Sequence, residues 1–478
     1  MNRPTKIAAL LAAAALAACY ADPPPRTDDR ELGIEIPAQW STPDAPLEQT
    51  LREDWWREFG EPRLDALIEA ALQHNRNLQA AAARLEAAAA THTIAGGPIL
   101  PELDGSLDAG RSRRLFIGFP FGGGGVPSST FTTYGLSLTV RWELDVWGRV
   151  RQGDAAALAD QEAAVEDLLA ARLSLVGQLC RAWFQAVEAQ QQLQLAADTA
   201  RTFAATLEDV RDRFQRGVRP ALEVHQAATN LANAEASVAQ RREQLQRALR
   251  QLDVLVGRYP DGATSTGADL PQQLPEIPAG LPSTLLLRRP DLRAAERRVA
   301  AAGCRVEQAR AALYPKLALT ASGGTTSTDI EDLIDTDYRI WSVGANLLEP
   351  LFRGGALRAE VRRQAARRVE AFATYGNAVL SAFAEVEDLL ATEQLLATRT
   401  AHIADAAEHA VAARDLARER WQLGLTDFLS VADGQRAAFA AEAARITARR
   451  LCIENRIDLL LALGGGYAQD NRENRDEQ

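Results

Sequence analysis

Lysine is almost missing: Lys6 and Lys316 are the only two in 478 residues, and arginine carries nearly all the positive charge. The formal net charge is −11. That is the wrong sign for a nucleic-acid binder, whose electrostatic footprint is basic, so no nucleic-acid partner is expected. Histidine is scarce too: His74, His92, His225, His402 and His409 show neither metal nor triad spacing. His402 and His409 can share a helix face, as packed or solvated residues. Apart from Cys19, the cysteines are Cys180, Cys304 and Cys452, an odd number whose spacing fits no zinc motif. They read as small buried residues on helix faces. The Gly-rich stretch RSRRLFIGFPFGGGGVPSST lacks the GK[ST] ending of a phosphate loop. Arg288, Arg289, Arg293, Arg297 and Arg298 read as a solvated helix face with Asp291 and Glu296 nearby. These absences exclude most enzyme classes; no catalytic residue, metal or cofactor is expected.

The N-terminus has the order of a processing signal. Arg3 and Lys6 are followed by the apolar run Ile7 to Leu16, then Ala17, Ala18 and Cys19. That run is too short to span a bilayer comfortably. The string LAAC resembles a bacterial lipobox, which implies cleavage before Cys19 and lipid on its sulfur; the alternative is a plain signal peptide. Tyr20 is compatible with export to the outer membrane. Residues 1–18 are thus expected to be a lipoprotein signal peptide, and 19–53, rich in Pro, Asp and Arg, an extended tether.

One stretch occurs twice. RFQRGVRPALEVHQAAT runs from Arg213 to Thr229, and RWQLGLTDFLSVADGQR from Arg420 to Arg436. At constant spacing Phe214 matches Trp421, Gly217 matches Gly424, Leu222 matches Leu429 and Gly257 meets Gly464. Each copy lies between two helical patterns. Gly217 and Gly424 suit a left-handed helix end, Pro220 the first turn of the next helix, and Thr426 a cap. Each copy is therefore the bend of a helical hairpin.

The rest of the chain repeats in step. Repeat 1 covers 54–260, a linker 261–283, repeat 2 284–466, and 467–478 is a charged tail. Repeat 1 opens with a helix from about Pro62 to Ala95, and then the period changes to two. Leu103, Gly105, Leu107 and Ala109 alternate with Asp104, Ser106, Asp108 and Gly110; Tyr134, Leu136, Leu138, Val140 and Trp142 alternate with polar neighbours. These are strands with one apolar and one polar face. A helix to Arg216 follows, about 60 residues and roughly 90 Å long, with a coiled-coil-like seam. Its return runs from Ala221 to Val256. Repeat 2 places strands around Leu317–Ser322 and Trp341–Leu347, a helix from Gly355 to Leu423, and a return to Leu463.

Four strands of this length match transmembrane β-strands, but four cannot close a barrel, and open edges are not tolerated in lipid. Several copies must share the barrel. A channel favours at least three, because eight strands leave an interior filled by side chains.

The YPKL string at Tyr314 to Leu317, the PLFRGG string at Pro350 to Gly355 and the paired bends make the chain resemble TolC-type outer-membrane efflux channels. The lipobox points to the OprM/NodT-like lipoprotein branch. The resemblance covers about Asp54 to Gly466. It implies a mainly α fold with membrane β: a homotrimer with a twelve-stranded β-barrel, four strands per chain, in outer-membrane lipid, continued by a long α-helical barrel in the periplasm. It implies passive export of drugs or other small molecules, driven by an inner-membrane pump of the RND type through a periplasmic adaptor, or membrane fusion, protein. It places a periplasmic gate at Leu429, Asp433 and Arg436, and adaptor-contacting tips at Arg216, Gly217, Arg219, Gly424 and Thr426. Gly434 stands where family members often have Ala, a departure expected to loosen that turn by about 1 kcal/mol. Gln226 occupies the place of Asp433 in the first repeat. Two other readings stay open: the exit duct of a type I protein secretion system and, further off, a periplasmic adaptor scaffold.

Overall fold

The computed structural model describes residues 33–34, 37, 39–41, 52–117, 126–267, 269–275 and 282–466. Cys19, the signal region and the charged tail lie outside the described residues.

The chain opens with α1 (Pro62–His74) and α2 (Arg76–Gly96). The single helix expected over this stretch is broken at Asn75. Its backbone is extended, and its Oδ1 accepts the Leu78 amide at 3.0 Å as an N-cap for α2. Strands β1 (Glu102–Leu115) and β2 (Ser128–Leu144) follow, then α3 (Arg149–Gln215) and α4 (Ala221–Val256). The second half supplies α5 (Pro282–Arg288), α6 (Pro290–Ala311), β3 (Lys316–Ser327), β4 (Arg339–Leu348), α7 (Ala356–Gln422) and α8 (Phe428–Ala462). Both strands of the first pair are longer than their alternating cores. Arg111 to Leu115, read as loop from the sequence, pair with Ser128 to Thr132, because ladder hydrogen bonds need no particular side chain.

The four strands form one antiparallel sheet in chain order. Register puts Leu103 opposite Val140, Leu107 opposite Leu136, Leu138 opposite both Gly105 and Gly323, and Ala321 opposite Val343. One face of the sheet therefore carries an apolar band, from Leu103 and Leu107 through Leu136, Leu138 and Val140 to Ala321, Trp341 and Val343, yet Leu107, Leu138, Trp341 and Val343 are exposed. An apolar face of this size left uncovered belongs against another apolar phase. The opposite face is polar and bonded across strands: Arg141 donates to Asp104 at 2.8 Å, and Ser106 meets Ser137 at 2.9 Å. Among the described residues β1 and β4 are edges. No described helix is long and apolar enough to cross a membrane.

The fold divides into two compact units. One includes 85–164 and 295–375 and holds the sheet; the other includes 32–84, 165–294 and 376–466 and holds both bends. In the second unit, Trp183, Phe184, Val187, Leu64 and Ile68 are buried core residues.

The repeat reaches the level of single bonds. Asn75 Nδ2 donates to the Leu255 carbonyl at 2.8 Å, and Arg289, at the matching place in repeat 2, donates to the Ala462 carbonyl at 3.1 Å. Each side chain satisfies a carbonyl that the end of a helix leaves without a partner.

The expectation of a solvated arginine face on α6 is corrected. Arg289 reaches Glu385 at 2.7 Å, Arg293 reaches Glu166 at 2.5 Å and Arg297 reaches Glu162 at 3.3 Å; these guanidinium side chains are only 14%, 23% and 12% exposed. Arginine is suited to this, since its alkyl stem packs while the planar fork stays paired.

Candidate functional site at the paired bends

Both bends close with the same backbone chemistry. Gly217 and Gly424 have φ of 73° and 74°. The Val218 amide bonds the Arg213 carbonyl at 2.9 Å and the Leu425 amide bonds the Arg420 carbonyl at 2.8 Å. This is the Schellman ending, which needs a left-handed residue that glycine adopts without strain.

The turns then diverge. Pro220 stands at the N-cap of α4, one residue before the first turn, and supplies no side-chain cap. Asp427, not Thr426, caps α8: its Oδ1 accepts the Ser430 amide at 2.9 Å and the Ser430 hydroxyl at 2.6 Å. Those bonds hold the Asp427 carboxyl below its ordinary range, with a smaller contribution from Arg219. Asp427 is the cap because it is the residue directly before the first turn, with extended backbone, and its carboxylate there also meets the positive end of the helix.

A seam joins the two hairpins just inside the bends. Leu207 and Val210 of α3, Ala227 of α4, Trp421 of α7, and Phe428, Val431 and Ala432 of α8 form one buried cluster. Trp421 is its centre, 1% exposed and edge-on to Phe428 with ring centroids 6.1 Å apart. The Arg213 guanidinium lies 4.2 Å from its ring centroid, and that of Arg219 5.9 Å. Arg219 also faces Glu223 at 3.6 Å, with side chains 19% and 12% exposed. A cation over a buried indole is worth about 1–2 kcal/mol, so the bend is clamped by more than apolar contact.

The gate candidates come together on α8. Leu429 is 52% exposed, and Asp433 pairs with Arg436 one turn on, both carboxylate and guanidinium facing solvent. Leu429 and Arg436 line a groove with His225, Gln226, Thr229 and Asn230 of α4. Gln226, the repeat-1 counterpart of Asp433, thus shares a groove with two of the gate candidates, Leu429 and Arg436. Gly434 packs against α7: a Cβ there would sit 3.3 Å from the Arg414 Cα. Glycine at this place permits close helix approach, which offsets its low helix propensity.

Of the tip candidates, Arg216, Gly217 and Gly424 are exposed, with Arg216 paired to Asp212 at 2.8 Å. Arg219 and Thr426 are half-buried. Sequence reasoning missed the apolar character of the tips. Val218, Leu222, Leu423 and Leu425 are 64%, 64%, 68% and 65% exposed. The signal was available: four large aliphatics flank two turn glycines, where polar residues are the rule. Among the described residues no group of His, Cys, Asp and Glu is arranged to hold a metal. Burial raises the Cys180 thiol far above its ordinary value, which leaves it inert.

Comparison with known proteins fits this geometry. The chain matches the outer membrane efflux protein family over residues 67–258 and 281–465. It is 33% identical over 475 residues to the pyoverdine export outer membrane protein OpmQ of Pseudomonas putida, covering 98% of this chain and 99% of that one. It is 30% identical over 417 residues to the toluene efflux pump outer membrane protein TtgI, also of Pseudomonas putida, covering 86% and 87%. The solved outer-membrane channel OprN superposes with a TM-score of 0.83 at 30% identity, over 93% of this chain and 99% of that one. An adaptor scaffold is thereby set aside: two in-step helical hairpins, a four-stranded sheet and an uncovered apolar sheet face are those of an outer-membrane channel, and the chain belongs to the outer membrane efflux protein family.

Proposed function

We propose that this channel is the passive exit duct of a tripartite efflux system. Three copies share one twelve-stranded barrel, an inner-membrane pump of the RND type supplies the energy, and a periplasmic adaptor docks at the bends. The observation that carries the reading is the sheet: one apolar face is exposed and both edges are open among the described residues. Such a sheet is stable in lipid only when further copies close it. Small organic solutes are the proposed cargo, in line with relatives named for pyoverdine export and toluene efflux. That favours efflux over the exit duct of a type I secretion system.

The adaptor contact rests on the exposed aliphatics around Gly217 and Gly424 and on the exposed Arg216 beside them. The gate is Leu429 and Asp433, with Arg436 holding the carboxylate in place. Three leucines meeting at an axis exclude water, and three carboxylates make a ring attractive to cations. Cys19 carries lipid as a second anchor; the barrel itself retains the protein in the membrane. The test is a deletion strain challenged with a panel of antibiotics, solvents and siderophores, combined with assay of exported protein. Accumulation of small solutes with unchanged protein secretion is expected. Loss of a secreted protein with unchanged solute susceptibility overturns the efflux reading.

A further inference from the structure

The two faces of the sheet treat their arginines differently. On the polar face Arg141 is neutralised by Asp104, and Arg114 lies over the Phe131 ring. On the face with the apolar band, β1 presents Leu103, Leu107 and Ala109 and then, in the same alternation, Arg111 and Arg113. Pairing carries this face across the sheet: Leu107 is opposite Leu136, Leu136 opposite Thr325, and Thr325 opposite Arg339 of β4. Arg111, Arg113 and Arg339 are exposed, and none of the three has an ion pair among the described residues. Arg113 donates to the Ser128 hydroxyl at 2.8 Å and Arg339 to the Thr336 carbonyl at 2.9 Å, both neutral oxygens. The carboxylates of the β3–β4 connection, from Asp329 to Asp337, leave Arg339 unpaired.

The three lie at one height. Arg111 stands nine residues past Glu102, where β1 starts, and Arg339 nine before Leu348, where β4 ends, both counted from the helix side of the sheet. Nine residues span roughly 30 Å along a strand, or about 21–25 Å along the normal at the usual tilt, which is the height of the apolar band of a membrane barrel. Trp341, two residues from Arg339 and 80% exposed, stands just inside that edge, where barrels carry their aromatic girdle. With the helices in the periplasm, this edge meets the outer leaflet.

We infer that Arg111, Arg113 and Arg339 form a binding site for the phosphate groups of the outer-leaflet glycolipid, lipopolysaccharide, on the lipid-facing wall of the barrel. A guanidinium without a carboxylate, at the rim of an apolar face, is matched by an anion that arrives with acyl chains. Its planar fork takes two phosphate oxygens at once. Thr132 opposite Arg111 and Thr130 opposite Arg113 supply hydroxyl donors beside it. The site rests on the membrane placement proposed above. Closure by further copies sets β4 of one copy beside β1 of the next, so Arg339 joins Arg111 and Arg113 at that junction.

Full-length protein is to be reconstituted in phosphatidylethanolamine vesicles holding a small share of one probe: diphosphoryl lipid A, dephosphorylated lipid A or phosphatidylglycerol. Probe retained per chain after mild detergent extraction is counted by native mass measurement. Diphosphoryl lipid A is expected to be retained. Loss of its phosphates, or Arg111→Gln combined with Arg113→Gln, is expected to lower retention about tenfold or more. Arg114→Gln, on the other face, is expected to leave it unchanged. Equal retention of the two lipid A forms by wild type overturns the site, and that comparison needs no variant to fold. Retention by the double variant equal to wild type also overturns it. Phosphatidylglycerol held as well as lipid A overturns the assignment to the glycolipid. Unchanged retention in Arg339→Gln overturns the shared junction. Wild type that fails to enter vesicles overturns the membrane placement itself, whereas insertion without lipid A preference overturns this inference alone.

Discussion

Replacing Trp421 by Ala tests how the bends are held. The indole is 1% exposed, packs edge-on to Phe428 and lies 4.2 Å beneath the Arg213 guanidinium. Truncating a buried aromatic to Ala costs about 3–5 kcal/mol. Roughly 1–2 kcal/mol of that is the cation over the ring, and the remainder is lost transfer and the cavity between α3, α4, α7 and α8. The cavity lies close to the ends of the hairpins, so it relaxes by local opening. Hydrogen exchange read peptide by peptide is therefore the assay. At about 1.4 kcal/mol per tenfold, amides of α7 and α8 next to the second bend should exchange about 100- to 4000-fold faster. Core amides around Trp183 should be unchanged. Trp421→Phe should recover most of the protection, since it keeps a six-membered aromatic ring in the cavity and loses only part of the cation attraction. Acceleration under tenfold in the Ala variant, or acceleration spread evenly over the chain, would show that Trp421 is not the clamp.

Four further outcomes are expected. Leu429→Ala combined with Asp433→Ala should raise single-channel conductance in planar bilayers, lower cation preference and sensitise cells to large antibiotics such as vancomycin; normal trimers with unchanged conductance would place the constriction elsewhere. Leu138→Arg puts a charge on the apolar sheet face opposite Gly105 and Gly323 and should cost about 2–4 kcal/mol near the bilayer midplane, measured by refolding into lipid, whereas Thr139→Arg on the other face should be tolerated. Asp427→Ala should fray the first turn of α8 in hydrogen exchange while Asp427→Ser does not. Because the Ser430 bonds depress the Asp427 carboxyl, this cap is fully present above the ordinary carboxylate range and is lost only as pH falls through the depressed value; fraying already at neutral pH in wild type would contradict it. Mass spectrometry of the mature N-terminus should find acyl chains on Cys19, and a free N-terminus at Tyr20 would refute lipidation.

Much of the architecture was legible in the sequence because it is periodic and repeated. Alternation at period two marked the strand cores, since a strand with one apolar face has no other pattern. A coiled-coil-like seam marked α3, and the in-step repeat marked α7. The matched bends located both turns, because a left-handed helix end selects glycine at Gly217 and Gly424. The order of elements along the chain, helix, strand pair, long helix and return helix, was readable twice over. The three gate candidates came from the family resemblance, and the helical pattern after the second bend put them on one helix.

What only the tertiary structure decided were pairings between distant segments. No local pattern tells that Arg293 meets Glu166 or that Arg297 meets Glu162, so an arginine-rich helix face was indistinguishable from a solvated one. Asn75 broke α1 from α2 because its side chain is held by the Leu255 carbonyl, 180 residues away. Thr426 and Asp427 are both good caps in isolation, and backbone position chose between them. Phe214 and Trp421 are equivalent in the repeat; the fold buries one and leaves the other bare, because only one of them has the other hairpin of its own chain to pack against. Sequence periodicity fixes which face of an element is apolar, and tertiary contact decides what covers it.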